Sequence, residues 1–147
     1  MRNNLTDRVK TIRVSNAVSV GTSTVNGSTV DMAGYEGVRF IVLYGAITDG
    51  TPNLKAQQGA ASDLSDAADL LGSGVAVTAA DDNKCAILDV YAPQERYVRA
   101  AVVRGGVTGC VIDGILAELY GPRVEPVTQD STVAAAEKHV SPAEGTA

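Results

Sequence analysis

A chain of 147 residues has the length of one domain, and its 45% apolar content is enough to build a core. With one Phe, five Tyr and no Trp, that core must be largely aliphatic. A net charge of −5 and an isoelectric point near 4.7 argue against general nucleic-acid binding, which needs a basic face. The first twenty residues carry charges and no apolar segment, so no signal peptide is expected. No run approaches the ~18 apolar residues of a membrane span. Neither nucleic acid nor membrane is expected as a partner.

In chain order, residues 1–9 read as a short polar arm, and strand signals dominate from Lys10 onward. Lys10–Val14 alternates Ile12 and Val14 against Thr11 and Arg13, and Val18–Val20 precedes Gly21. Thr24-Val25 and Thr29-Val30 flank Asn26-Gly27, a dipeptide suited to a two-residue hairpin turn. Val38–Ile47 is the strongest strand. It carries Val38, Phe40, Val42 and Tyr44 on one face and Ile41, Leu43 and Ile47 on the other. A strand apolar on both faces belongs in the middle of a sandwich, or between a sheet and a partner.

Asp49-Gly50-Thr51-Pro52 breaks that strand. Leu54–Gln58 is a short strand. Ala60–Leu71 has helical spacing at Leu64, Ala67, Ala68 and Leu71, but Gly72 and Gly74 end it, so a loop with at most one helical turn is expected. Val75–Thr78 and Lys84–Tyr91 follow as strands. Arg96–Arg104 and Cys110–Tyr120 are two long strands, and Gly105–Gly109 reads as a glycine-rich hairpin loop between them. Eight or nine strands with almost no helix predict an all-β fold, an antiparallel β-sandwich or jelly roll over residues 10–121.

From Pro122 to Ala147 the chain has no hydrophobic period. This polar, proline-punctuated segment cannot offset its ordering entropy alone, so an extended arm ordered by a partner is expected. Charge is also uneven. Residues 1–14 carry Arg2, Arg8, Lys10 and Arg13 against Asp7 alone, and residues 48–83 carry six Asp against Lys55. A basic arm on an acidic body suits docking to an acidic neighbour.

No constellation for chemistry emerges. His139, in the tail, is the only histidine, so a catalytic triad would need a flexible arm to complete it. Asp63, Asp66 and Asp69 lack the Gly and terminal Glu of a calcium loop. Gly105–Gly109 is not followed by the Lys-Ser/Thr of a phosphate loop. Cys85 and Cys110 lie in apolar runs and read as buried free thiols. Neither catalysis nor a cofactor or metal is expected. The residues singled out instead are cations able to grip a neighbour's carboxylates: Arg2, Arg8, Lys10, Arg13, Arg96, Arg99, Arg104, Arg123 and His139. Asp113 and Glu118 are expected to pair across strands with Arg96, Arg99 or Arg104.

The run Arg2–Arg8, the run Ala86–Pro93 with Glu95–Arg99, and the ending Ala117–Arg123 with Val140-Ser141-Pro142 resemble head decoration (cement) proteins of tailed bacteriophages. The resemblance implies a β-rich structural protein, bound as a homodimer or homotrimer to the major capsid protein on the exterior of the virion. It implies no catalytic residue. Two alternatives stand beside it: another virion module at the tail, the head–tail connector or the fibre base, and a carbohydrate-binding sandwich.

Overall fold

The computed structural model describes residues 4–147. After a 3-10 turn at Leu5–Asp7, eleven strands follow. They are β1 (Lys10–Ser15), β2 (Val18–Gly21), β3 (Val25–Asn26), β4 (Val30–Asp31), β5 (Gly37–Ile47), β6 (Asn53–Gly59), β7 (Ala68–Asp69), β8 (Val75–Ala76), β9 (Cys85–Tyr91), β10 (Tyr97–Val103) and β11 (Cys110–Tyr120). A second 3-10 turn lies at Ala79–Asp81. The first sheet has the order β1-β11-β5-β9, with β2 also on β11. The second has the order β3-β10-β6-β7, with β4 on β10 and β8 on β6. Every pairing is antiparallel. The two sheets pack face to face, so the expected all-β sandwich is the fold.

The core is made by alternation. Val38, Phe40, Val42 and Tyr44 of β5 meet Val98, Ala100 and Val102 of β10 and Leu54 and Ala56 of β6 in one buried cluster. Alternation then breaks where β5 and β11 slip register. Tyr44 lies opposite Ile112 and Ile47 opposite Cys110, three steps of chain against two. The extra residue is a β-bulge, and it returns Ile47 to the core face. A second shift, between Ile112 and Gly114, moves the buried face of β11 from Cys110 and Ile112 to Ile115, Ala117 and Leu119. Ile47 therefore belongs to the core and not to the opposite face. Leu43, by contrast, is exposed.

Two local expectations are corrected. Asn26-Gly27 is not a hairpin, because β3 and β4 lie in line along the same side of β10, with the residue inserted between them forming an irregular step. Gly27 N–H donates to Ala100 C=O across that step. Gly105–Gly109 is an arch and not a hairpin loop: β10 and β11 lie in different sheets. The Ala60–Leu71 segment is a loop, as expected; it closes on Asp66, whose carboxylate accepts the N–H groups of Ala60 and Ala61, and includes β7.

The carboxy-terminal segment packs back on its own chain. Gln129 accepts the Thr11 N–H with Oε1 (2.9 Å) and donates through Nε2 to the carbonyls of Thr6 and Val9. Thr132 Oγ1 accepts the Arg13 N–H (2.9 Å), Val127 N–H donates to Asp7 C=O, and Lys138 Nζ meets Asp7. Side chains thus close the edge of β1 without a ladder, one of the ways proteins blunt an edge strand. Each such bond is worth about 0.5–1.5 kcal/mol net. Gln129→Ala/Thr132→Ala removes four such bonds; at the low end of that range, because water re-enters at an exposed edge, it should cost about 2–3 kcal/mol, and it should speed amide exchange at Thr11 and Arg13 before the rest of the sheet. Exchange at these two amides unchanged from wild type would show that the caps do not protect the edge.

Candidate functional site

One end of the sandwich gathers four segments: Met32–Glu36 after β4, Ala92–Arg96 between β9 and β10, Tyr120–Glu125 after β11, and Leu5–Val9. They surround two open clefts that share Glu36. The larger, about 520 Å³, is lined by Tyr35, Tyr91, Arg96 and Arg123 among others. The smaller holds Leu5, Arg8, Tyr120 and Glu125. The backbone fixes this end: Arg123 N–H donates to Gly34 C=O, Glu36 N–H to Tyr120 C=O, and Ala92 N–H to Glu36 C=O. Tyr120 Oη donates to Asp89 (2.6 Å); burial and the acceptor carboxylate push its pKa up to about 12.

Three of the expected cations converge here. Arg8 Nε pairs with Glu125 at 3.2 Å. Arg96 forks onto Asp31 with two bonds of 2.9 Å and lies 5.2 Å from the ring centre of Tyr97. Its guanidinium holds the Asp31 carboxyl below the usual range. Arg123 lines the larger cleft. The others lie elsewhere. Lys10 sits at the start of β1 opposite Leu119. Arg13 is exposed on β1, with its N–H taken by Thr132. Arg99 donates to Gln57 (2.8 Å) on the outer face of the second sheet. His139 is exposed in the tail, 3.3 Å from Glu137. Arg2 lies outside the described residues.

Arg104 is a correction. It is only 3% exposed, at the opposite end of the sandwich. Its guanidinium donates to the carbonyls of Ser19 (2.7 Å), Ser23 (2.8 Å) and Cys110 (2.9 Å), and to Ser23 Oγ. It ties the β2–β3 loop to the arch between the sheets and cannot meet a neighbour. The expected cross-strand pairs are corrected with it. Glu118 pairs with Arg39 on the adjacent strand β5 (2.9 Å from Nε), because β10 lies in the other sheet. Asp113 stands at the β11 register shift, beside Gly45. Cys85 is exposed, not buried; Cys110 is buried, and both thiols are free. The sign for Cys85 was its parity with Asp89 and Tyr91, the outward side of that strand.

Asp49 was missed by reading the sequence. Its carboxylate accepts the N–H groups of Val107, Thr108 and Gly109 (3.1, 3.1 and 2.6 Å) and so holds the arch. Gly109 has φ +82, and a Cβ there would fall 1.9 Å from Gly21 C=O, so only glycine fits. The bonds from Gly109, Thr108 and Val107 keep the Asp49 carboxyl below its ordinary 3.8. Their stabilisation is complete above that value and disappears as pH falls through the lower folded one. Asp49→Asn should flatten the acid limb of the stability curve. An acid limb identical to wild type would remove Asp49 from that role.

Among the described residues, no three His, Cys, Asp or Glu side chains are grouped to hold a metal ion. Among the described residues, no helix is long and apolar enough to cross a membrane.

The fold has a solved counterpart. The chain is similar to the PBSX exported protein XepA, with a TM-score of 0.54 and 14% identity over 95% of this chain. It spans 46% of the length of XepA, so the likeness is of one portion of that protein and is a likeness of fold. No protein-family model and no curated protein matches the sequence.

Proposed function

We propose that this protein is a structural component of a tailed-phage virion, a decoration protein that binds the major capsid protein on the outer surface of the head and stabilises the lattice. The observation that supports the reading is the sandwich fold, shared with the PBSX exported protein XepA. The sequence resemblance to decoration proteins points the same way. The end of the sandwich bearing Arg8, Arg96 and Arg123, with Tyr35 and Tyr91, is the face offered to the capsid. Arg123, exposed and without an ion pair among the described residues, and the aromatic rings beside it suit a carboxylate-bearing neighbour; Arg8 and Arg96 would have to exchange Glu125 and Asp31 for it. Many weak contacts repeated at each lattice site supply the avidity. The reading assigns the protein no catalysis and no cofactor.

Heads purified without this protein should lose resistance to heat and low salt, and adding it back should restore both. Heads equally resistant without it would defeat the proposal. XepA is described as exported, which favours a second reading as another phage structural or exported protein. Copy number separates the two: hundreds per particle for a decoration protein, a few dozen or none for the other.

The amino-terminal cations carry a separate prediction. Exposed ion pairs are each worth about 0–1 kcal/mol, so Arg2, Arg8 and Arg13 should be replaced together by Gln. Binding to undecorated heads should fall most at low ionic strength, and the gap from wild type should close as salt rises. An equal loss at every salt concentration would mean that these residues act through packing and not through charge.

A further inference from the structure

The two sheets do not treat their edges alike. The β1 edge is sealed by Gln129 and Thr132. In the second sheet, one edge is interrupted between β3 and β4, and the other consists of the two-residue strands β7 and β8. The β9 edge has none of these devices. Cys85–Tyr91 pairs with β5 in unbroken register over seven residues, with no Pro, no Lys and no bulge.

Which backbone groups of β9 face outward follows from two bonds. Tyr44 N–H donates to Lys84 C=O, and Ala92 N–H to Glu36 C=O. In an antiparallel ladder the residues that bond to the neighbour alternate. Residues 84, 86, 88, 90 and 92 therefore bond to β5. Cys85, Ile87, Asp89 and Tyr91 aim their N–H and C=O groups away from it. No described residue accepts from or donates to those groups. A regular, unpaired edge of this kind is a template for another strand.

We infer that β9 is a self-association edge, pairing antiparallel with β9 of a second copy about a two-fold axis at Leu88. The occupant follows from the strand itself. Ladder bonding requires outward-facing residues opposite outward-facing residues, so the allowed registers differ by two. With Leu88 opposite Leu88, all seven residues pair: Cys85 meets Tyr91 and Ile87 meets Asp89. A shift one way sets Asp89 against Asp89, a like-charge contact. A shift the other way leaves Tyr91 unpaired. The Asp89 charge disfavours one shift and the loss of paired residues the other, so the full-length register is selected, and the first sheet becomes continuous across two copies, an isologous contact. Ile87 is half exposed and Tyr91 largely exposed in the single chain. The inference concerns association in solution and does not rest on the capsid reading, which occupancy on heads tests separately.

Sedimentation velocity over a concentration series, with circular dichroism on each variant, tests it. The wild type should sediment at twice its 15.1 kDa mass. Ile87→Pro removes one outward N–H and leaves the β5 ladder intact; it should be monomeric at the same concentration. Ile87→Asp sets Asp opposite Asp89 of the other copy and should raise the dimer dissociation constant at least tenfold. Ile87→Lys sets an opposite charge there and should keep the dimer. A folded wild type that stays monomeric at about 100 μM overturns the inference, as does a trimer, which two-fold edge pairing cannot make. Equal loss in Ile87→Asp and Ile87→Lys would overturn the register. If Ile87→Pro fails to fold, the Asp and Lys pair still decides.

Discussion

Phe40→Ala is expected to destabilise the protein by about 3–5 kcal/mol, the usual cost of truncating a buried Phe. Phe40 has no exposed surface. It lies mid-strand on β5, between Leu88 of β9 and Ala117 of β11 in the ladder, and faces the second sheet within the core cluster. No other Phe and no Trp can fill the space it leaves, so the cavity should persist. Denaturant unfolding would read the change as a lower midpoint at constant slope. A loss below about 1 kcal/mol would mean that the sheets collapse onto the gap.

Arg104→Ala should cost about 2–4 kcal/mol and loosen one end of the sandwich. The substitution leaves the carbonyls of Ser19, Ser23 and Cys110 without their donor, and each buried unsatisfied group costs about 1–3 kcal/mol, less where water re-enters. Arg104→Lys should recover only part, because an ammonium cannot span three carbonyls as a planar fork does. Hydrogen exchange should rise first at Gly105, whose N–H donates to Thr22 C=O, and around Cys110. If Arg104→Lys and Arg104→Ala are both as stable as wild type, the guanidinium is not what holds the arch.

These two residues mark how far a sequence reaches. Phe40 was legible as core because Val38, Phe40, Val42 and Tyr44 alternate, and a period of two is a local property of the chain. Arg104 carried the same signal. It shares parity with Val98, Ala100 and Val102, all buried, so the alternation of the strand already places it on the inward face. Arg96 has that parity too but precedes β10, where the loop turns it out to Asp31.

The all-β class, the main strands and most of the core are legible in the residues, because alternation, glycine and proline act within a few residues. The sequence also singled out Arg8, Arg96 and Arg123, though not that they share one end. Which strands pair is set by long-range contacts of the assembled fold. The Gly105–Gly109 arch and the Asn26-Gly27 step both look like hairpins locally, yet their flanking strands bond to partners far away in the chain. The same holds for the edges. Gln129 and Thr132 close β1 from more than a hundred residues away, and β9 is left open because no other described residue bonds to its outer side. Hydrogen-bonding capacity is uniform along a backbone. Its satisfaction is a property of the assembled sheet, and no local pattern encodes which edge remains free.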